Sequence, residues 1–279
     1  MTNTKNTVDF TELMNQKEIK PTIKMLLGAD MHGKSKYLYL SKRTPSVIIY
    51  GQSGAGKTVL LSSLLISAMI KTTPKRLRFV LIDGKGNSFS AFNHNPFLFK
   101  QPVDATSKSG LDRARKSIEN VKSIVQSRIA LFKELDVSSL EQYTETHGDT
   151  LDEIVLVIDE VSALLKQDSN ITDNLEYILK MSGHLGVYVL LSNQSAKPKD
   201  VNGKITANVV ARPLVMKLST FEEYVLTLDN EDPRELVANA FSEREQGIVL
   251  FEQKPIKVPY LTNEQIYQYN QEFIEQYLK

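Results

Sequence analysis

The sequence contains no cysteine, which excludes disulfide bonds and thiolate-ligated metal sites and fits a reducing compartment. It also has no excess of charge of either sign, since 34 basic side chains are balanced by 33 acidic ones and the net charge is only +1. This balance gives no general attraction to nucleic acids, membranes or acidic ligands. Any contact with a polyanion must therefore come from a local patch.

Long apolar runs are missing as well. The longest extends from Val59 to Ile70, is interrupted by serines and is too short to cross a bilayer. Residues 1–20 are polar and lack the apolar core of a signal peptide. We therefore expect a soluble, cytoplasmic protein without a membrane span, and its 279 residues are enough for one large α/β domain.

What the sequence does contain is a glycine-rich segment that matches the phosphate-binding pattern G-x-x-x-x-G-K-[ST], the P-loop. A short β-branched run precedes it and a helical run follows, which is the order that the motif requires. The glycines let backbone N–H groups approach phosphate oxygens, while Lys57 brings positive charge to the β- and γ-phosphates of a nucleotide and Thr58 provides a hydroxyl ligand for Mg²⁺. The alternative is a chance glycine turn before an ordinary helix. The segment comprises Gly51, Gln52, Ser53, Gly54, Ala55, Gly56, Lys57 and Thr58.

Two adjacent carboxylates follow the apolar strand predicted over Ile154–Ile158. A strand tip of this kind places Asp159 beside the Thr58 hydroxyl, where it can hold Mg²⁺ through water. Glu160 is then in position to orient and deprotonate the water that attacks the γ-phosphate. The alternative is an acidic strand end that caps the next helix.

Another polar pair, Asn193 and Gln194, ends the strand predicted over residues 187–192. The carboxyl ends of strands face the ligand crevice in open α/β sheets. The pair therefore predicts a sensor of the γ-phosphate or of the attacking water, with Gln194 the favoured residue, whereas the alternative is a polar turn.

Strands alternate with helical stretches along the chain, which predicts an α/β fold with a mostly parallel sheet and helices on both faces. We expect a polar N-terminal arm over residues 1–26, one α/β domain over 27–262 and an amphipathic helix over 263–279. The apolar side chains of this helix are expected to pack on the protein's own core, with docking to a partner as the alternative. The predicted strands are Tyr37–Leu40, Ser46–Tyr50, Leu77–Asp83, Ile154–Ile158, Val187–Leu191, Leu214–Leu218, and a terminal hairpin of Gly247–Phe251 and Ile256–Val258; the apolar residues of the last helix are Tyr267, Phe273, Ile274 and Tyr277.

These segments resemble the FtsK/SpoIIIE branch of the FtsK–HerA ATPases, both in their order and in their amino-acid sequences. The resemblance extends from Leu27 to about Thr262. Its motifs are Leu27–Gly33 ("LGxDxxG"), the P-loop, Ile82–Gly86 ("IDxKG"), Ile158–Glu160 ("DE"), Leu185–Gln194 ("xGIHLVLATQ"), Ile205–Arg212 ("IxANxxxR") and Gly247–Phe251 ("GrGLF").

The resemblance implies a RecA-like P-loop fold and a homohexameric ring with Mg²⁺ and ATP bound between subunits, where a neighbour supplies an arginine. Arg212 is the candidate for that arginine by its place in the "ANxxxR" element, and the alternative is a salt bridge or a surface contact that involves no phosphate. The resemblance also implies double-stranded DNA as the cargo, contacted by a first loop at residues 137–139 and a second at 166–170, which includes Lys166 and Gln167. Lys85 either stabilises the site or pairs with an acid.

Some positions depart from the family pattern. Ser138 stands in the first loop where translocases tend to carry an arginine, Asp168 dilutes the charge of the second loop, and Ser195 replaces the arginine of "TQRP". We expect neither transmembrane helices before the motor nor a winged-helix module after it, and a compact motor of this kind resembles those of plasmids, conjugative elements and phages. We expect an ATP-dependent DNA translocase; the alternatives are an ATPase that moves proteins, as type VII secretion motors do, and a non-hydrolysing nucleotide-dependent adaptor. The segment Gly84–Phe89 resembles "KGGxxF" and favours the secretion alternative.

Overall fold

Ten strands form one sheet in the computed structural model, which describes residues 23–86, 88–148, 151–228, 230, 232–241 and 247–278. The sheet order is β2-β1-β10-β9-β8-β3-β7-β6-β4-β5. The strands are β1 (Ile23–Ala29), β2 (Ser35–Leu40), β3 (Ser46–Tyr50), β4 (Leu77–Asp83), β5 (Val103–Asp104), β6 (Glu153–Asp159), β7 (Val187–Asn193), β8 (Leu214–Val215), β9 (Ile248–Phe251) and β10 (Lys254–Lys257).

Strands from β8 to β5 pair in parallel, whereas those from β2 to β9 pair antiparallel, as do β9 and β8. The central strands β3, β6 and β7 are buried along almost their whole length, because their β-branched and leucine side chains meet helices on both faces. The mostly parallel α/β fold predicted from the sequence is confirmed.

Helices cover both faces of the sheet and enclose two hydrophobic cores. The first and last helices lie on one face, and the long second helix shares the opposite face with the shorter ones. The helices are α1 (Lys57–Ile70), α2 (Lys108–Glu134), α3 (Leu140–His147), α4 (Val161–Leu165), α5 (Ser169–Met181), α6 (Gly203–Thr206), α7 (Phe221–Thr227), α8 (Arg234–Ala240) and α9 (Asn263–Leu278).

The last helix, α9, packs on the body of the protein. Phe273 is buried and meets Phe97 edge-to-face at a centroid distance of 5.6 Å, while Asn270 accepts a hydrogen bond of 2.7 Å from the buried side chain of Asn95. Tyr267 instead points to solvent with 56% of its surface exposed. The hydrophobic contacts of α9 are therefore made mainly by its other apolar side chains.

The structure differs from the sequence-based outline at several boundaries. β1 begins at Ile23, so the sheet includes the end of the predicted arm, whose residues 1–22 lie outside the described part of the chain. The predicted strand Leu214–Leu218 is shorter: the carbonyl of Lys217 accepts from Gln52 of the P-loop, and the N–H of Leu218 donates to a tyrosine hydroxyl of α7. The loop predicted over residues 166–170 ends at Asp168, because its side chain caps α5.

No helix in the described ranges is long and apolar enough to cross a membrane.

Candidate functional site

The P-loop joins the end of β3 to the start of α1. Gly54 and Gly56 have φ angles of +78° and +103°, a conformation in which a side chain would be strained. The loop is tied to the rest of the sheet edge, since the N–H of Gly51 donates to the carbonyl of Asn193 and that of Gln52 donates to Lys217. Fixed in this way beside the N-terminus of α1, the loop has the shape of an anion-binding cradle.

Lys57 lies at the centre of this cradle and is only 8% exposed. Its ammonium group donates to the carbonyl of Gly51 at 2.5 Å and lies 3.4 Å from that of Gln52. Burial lowers the pKa of Lys57, while the nearby carboxylates of Asp159 and Glu160 act in the opposite direction. Its charge therefore sits in a place with little water, where a phosphate oxygen can replace the loop carbonyls as partner.

Asp159 ends β6 and lies in a buried hydroxyl-rich position. Its carboxylate accepts hydrogen bonds from Ser88 at 2.5 Å and from Ser192 at the tip of the neighbouring strand β7. Both oxygens are held in place, so the carboxylate has a fixed orientation at the edge of the sheet.

Glu160 follows in a left-handed backbone conformation, with φ +55° and ψ +59°. It occupies the N-cap position of α4 without making a side-chain capping bond, so the helix-capping alternative does not describe its carboxylate. That carboxylate lies 3.5 Å from the Lys85 ammonium and accepts from the Ser162 hydroxyl at 3.3 Å. The sequence left Lys85 with either a stabilising or an acid-pairing role, and the structure shows the acid pair.

Asp83, which was not predicted as a site residue, organises the turn after β4 that contacts both Asp159 and Glu160. Parallel register places it beside Asp159, and its carboxylate accepts the backbone N–H groups of Lys85, Gly86 and Ser88 at 2.8, 2.8 and 2.5 Å. This turn directs Ser88 at Asp159 and Lys85 at Glu160. An aspartate followed by glycines at a strand end is a turn signal, and this pattern could have revealed the role of Asp83.

The two polar residues at the end of β7 have different surroundings. Asn193 is buried, and its side chain accepts from the N–H of Ser162 and donates to the carbonyl of Ser195. Gln194, one residue further, lines the cleft itself. The geometry therefore favours Gln194 over Asn193 for contact with a ligand.

Together these elements enclose a cleft of about 660 Å³. Its chemistry suits Mg²⁺, because the exposed Thr58 and the fixed carboxylate of Asp159 offer hard oxygen donors. Within the described residues no group of three or more His, Cys, Asp or Glu side chains could hold a metal ion. An ion here would therefore depend on water and phosphate oxygens for its other ligands, as is usual for Mg²⁺. The residues that line the cleft include Lys57, Thr58, Lys85, Asp159, Glu160 and Gln194.

Three predicted site residues lie away from this cleft. The N–H of Ala211 donates to Ser46 at the start of β3, so the exposed Arg212 follows at the edge of the sheet opposite the P-loop. Lys166, which is 58% exposed, pairs with Asp200 at 3.2 Å, and the side chain of Gln167 donates to a carbonyl of α4.

Comparisons with known proteins identify the family and the fold. The model of the FtsK/SpoIIIE family matches residues 9–198. The DNA translocase FtsK of Campylobacter jejuni is 28% identical over 201 residues, which cover 70% of this chain and 21% of that protein. The DNA translocase FtsK of Sporosarcina ureae is 26% identical over 219 residues, which cover 74% and 27%. The chain thus spans about a quarter or less of the length of these relatives.

Solved structures with the same fold include ATPases 2 and 3 of Thermomonospora curvata EccC in complex with a signal sequence peptide. That likeness has a TM-score of 0.77 at 19% identity and covers 94% of this chain and 48% of that one. The pCW3 conjugation coupling protein TcpA with ATPγS has a TM-score of 0.75 at 17% identity, covering 97% and 73%. At these identities the structural likeness shows the fold, and it confirms the RecA-like P-loop architecture.

Proposed function

The chain belongs to the FtsK/SpoIIIE family of P-loop ATPases, and from this premise we propose that it is an ATP-dependent motor that moves along double-stranded DNA as a ring. The observation that carries the proposal is the single cleft that combines the P-loop with Asp159, Glu160 and Gln194. A P-loop alone supports nucleotide binding, whereas the two carboxylates and the amide add the groups that hydrolysis needs.

In the proposed reaction the loop amides and Lys57 hold the phosphates of ATP, with Lys57 exchanging loop carbonyls for phosphate oxygens. Glu160 takes a proton from a water molecule whose oxygen attacks the γ-phosphorus, the bond to the β-phosphate oxygen breaks, and ADP and phosphate leave. Gln194 orients that water. Thr58 and Asp159 would hold Mg²⁺, which when bound neutralises charge on the β- and γ-phosphates.

In this proposal Arg212 acts between neighbouring subunits of the ring. It follows the residue that pairs with the start of β3, whereas the P-loop follows the end of that strand. At about 3.3 Å per residue these ends are roughly 13 Å apart. This separation supports a role for Arg212 at a neighbour's nucleotide, where it would stabilise the transferring phosphate.

A mixing experiment examines this arrangement. Subunits with Arg212→Ala and subunits with Glu160→Gln are each expected to be inactive alone. Mixed rings contain sites with an intact glutamate from one subunit and an intact arginine from the next, so ATPase activity should return. If the mixture stays as inactive as its components, the arginine does not act between subunits.

The proposed DNA contact lies in the loop between α4 and α5. Lys166 projects there with most of its side chain exposed, and a ring would repeat it in every subunit. Lys166→Ala should weaken binding to DNA duplexes of any sequence and make the affinity for DNA less dependent on salt concentration. Lys180→Ala is the matched control, because Lys180 is similarly exposed and also ion-paired but lies at the end of α5.

The segment Gly84–Phe89, which favoured a protein cargo in the sequence, gives no support for it in the structure. Lys85 and Ser88 of this segment contact the two catalytic-site carboxylates, so their chemistry belongs to the nucleotide site.

The decisive measurement is the ATPase rate with and without duplex DNA at low salt, together with the particle size in solution. A DNA translocase should be stimulated by DNA, whereas a secretion-type motor should respond to a cognate peptide tail. Glu160→Gln should retain ATP binding and lose turnover. Turnover that is unchanged in Glu160→Gln would indicate an adaptor, and no stimulation by any DNA would overturn the assignment of the cargo.

A further inference from the structure

A segment with no role in the hydrolysis scheme forms one wall of the cleft. It begins at Lys257, the last residue of β10, and Lys257, Val258, Pro259 and Tyr260 all line the cleft together with the P-loop. We propose that the Tyr260 ring stacks on the base of the bound nucleotide and favours purine over pyrimidine nucleotides. The inference rests on the proposed ATP site and adds the contact that recognises the base.

The position of this wall follows from two short contacts. The N–H of Val258 donates to the carbonyl of Gly247 at 2.8 Å. A Cβ atom placed on Gly56 would lie 3.6 Å from the Cα atom of Gly247, so the start of the β9–β10 hairpin lies directly against the P-loop. Tyr260 is therefore close to the place where the sugar and base of a nucleotide would extend beyond the phosphate-binding loop.

The backbone of this wall is held firmly. A Cβ atom on Gly28 of β1 would lie 1.9 Å from the carbonyl oxygen of Lys257, which shows how closely the two strands approach. Val258 and Leu261 are each only 4% exposed, and Pro259 between them has a fixed φ angle. Tyr260 is consequently presented to the cleft by anchored neighbours, which reduces the entropy that stacking would cost.

Beside the cationic Lys257, the wall offers aromatic and apolar surface that suits a base. Tyr260 is 73% exposed and is the only aromatic residue among the described residues that line the cleft. Val59 of α1 and Val258 add apolar surface. Stacking depends on ring area and not on exocyclic groups, so ATP and GTP should bind with similar affinity, and CTP and UTP more weakly.

Binding of ATPγS, UTP and tripolyphosphate, each with Mg²⁺, can be compared by calorimetry for four proteins: wild type, Tyr260→Ala, Tyr260→Phe and Tyr267→Ala. Tyr260→Ala should bind ATPγS roughly 5- to 100-fold more weakly and lose most of the preference over UTP. Tyr260→Phe keeps the ring and should behave like wild type. Tyr267→Ala removes another exposed tyrosine, which lies outside the cleft, and should also behave like wild type.

Tripolyphosphate separates the possible outcomes, because it has phosphates but no base. Its affinity should be the same in all four proteins. Equal losses for ATPγS and tripolyphosphate, or an unchanged ATPγS affinity in Tyr260→Ala, would overturn the stacking contact. If neither ligand binds wild type, the proposed ATP site itself is wrong, which is a different result.

Discussion

The backbone of Glu160 yields a prediction about stability that is separate from its chemistry. A non-glycine residue in the left-handed region costs about 1–2 kcal/mol, and glycine does not incur this cost. Against this, glycine gives the unfolded chain more freedom, which costs about 0.4–1 kcal/mol relative to alanine. The difference predicts that Glu160→Gly is more stable than Glu160→Ala by about 1 kcal/mol.

Comparing these two variants isolates the backbone, because both lack the carboxylate and its ion pair with Lys85. Glu119 provides the control, since it is exposed in the middle of α2. There the order should be reversed, with glycine less stable than alanine by about 1 kcal/mol.

The measurement is the free energy of unfolding from urea titration without nucleotide, supported by the melting temperature, which should differ by about 2–4 °C between the members of each pair. Both Glu160 variants should lack ATPase activity. If glycine is less stable than alanine at position 160 as well as at position 119, the left-handed backbone does not carry the strain that we assign to it.

Three further perturbations have distinct expected effects. Phe273→Ala should lower the free energy of unfolding by about 3–5 kcal/mol, measured in urea, because it removes a buried ring that packs on Phe97 and leaves a cavity. Gly28→Ala should also lower the free energy of unfolding, by about 3 kcal/mol or more, because the new Cβ atom would collide with the carbonyl of Lys257. It should weaken nucleotide binding as well, since Lys257 belongs to the wall of the cleft that includes Tyr260. Unchanged unfolding and unchanged nucleotide binding in calorimetry would contradict this. Asp200→Asn should tighten DNA binding in fluorescence anisotropy at several salt concentrations, since it removes the acid paired with Lys166; weaker binding would count against a DNA contact there.

The sequence predicted the parts of the site that depend on residues adjacent in the sequence or on the general topology of a parallel sheet. The P-loop needs only a strand before it and a helix after it, and both are visible in hydrophobic patterns. Asp159 and Gln194 were found because the ends of parallel strands meet at one edge, which follows from topology without any distance. Their roles in catalysis stay predictions.

The parts that the sequence did not predict depend on contacts between distant segments. Asp83 organises the site only because β4 lies beside β6, and β1 joins the sheet through β10, which follows far along the chain. Hydrophobic patterns do not specify such neighbours. The left-handed conformation of Glu160 is equally invisible, since glutamate has no preference for it and the surrounding structure must impose it.

The two sides of the cleft come from different parts of the chain. The P-loop, Asp159, Glu160 and Gln194 lie within the segment that matches the family, residues 9–198, whereas Tyr260 lies beyond it. The P-loop, Asp159, Glu160 and Gln194 lie at the ends of the neighbouring parallel strands β3, β6 and β7, while the proposed base contact is attached through a separate antiparallel hairpin. A change in the hairpin can therefore alter which nucleotide binds without moving the carboxylates, and a change at Glu160 can stop hydrolysis without altering the choice of base.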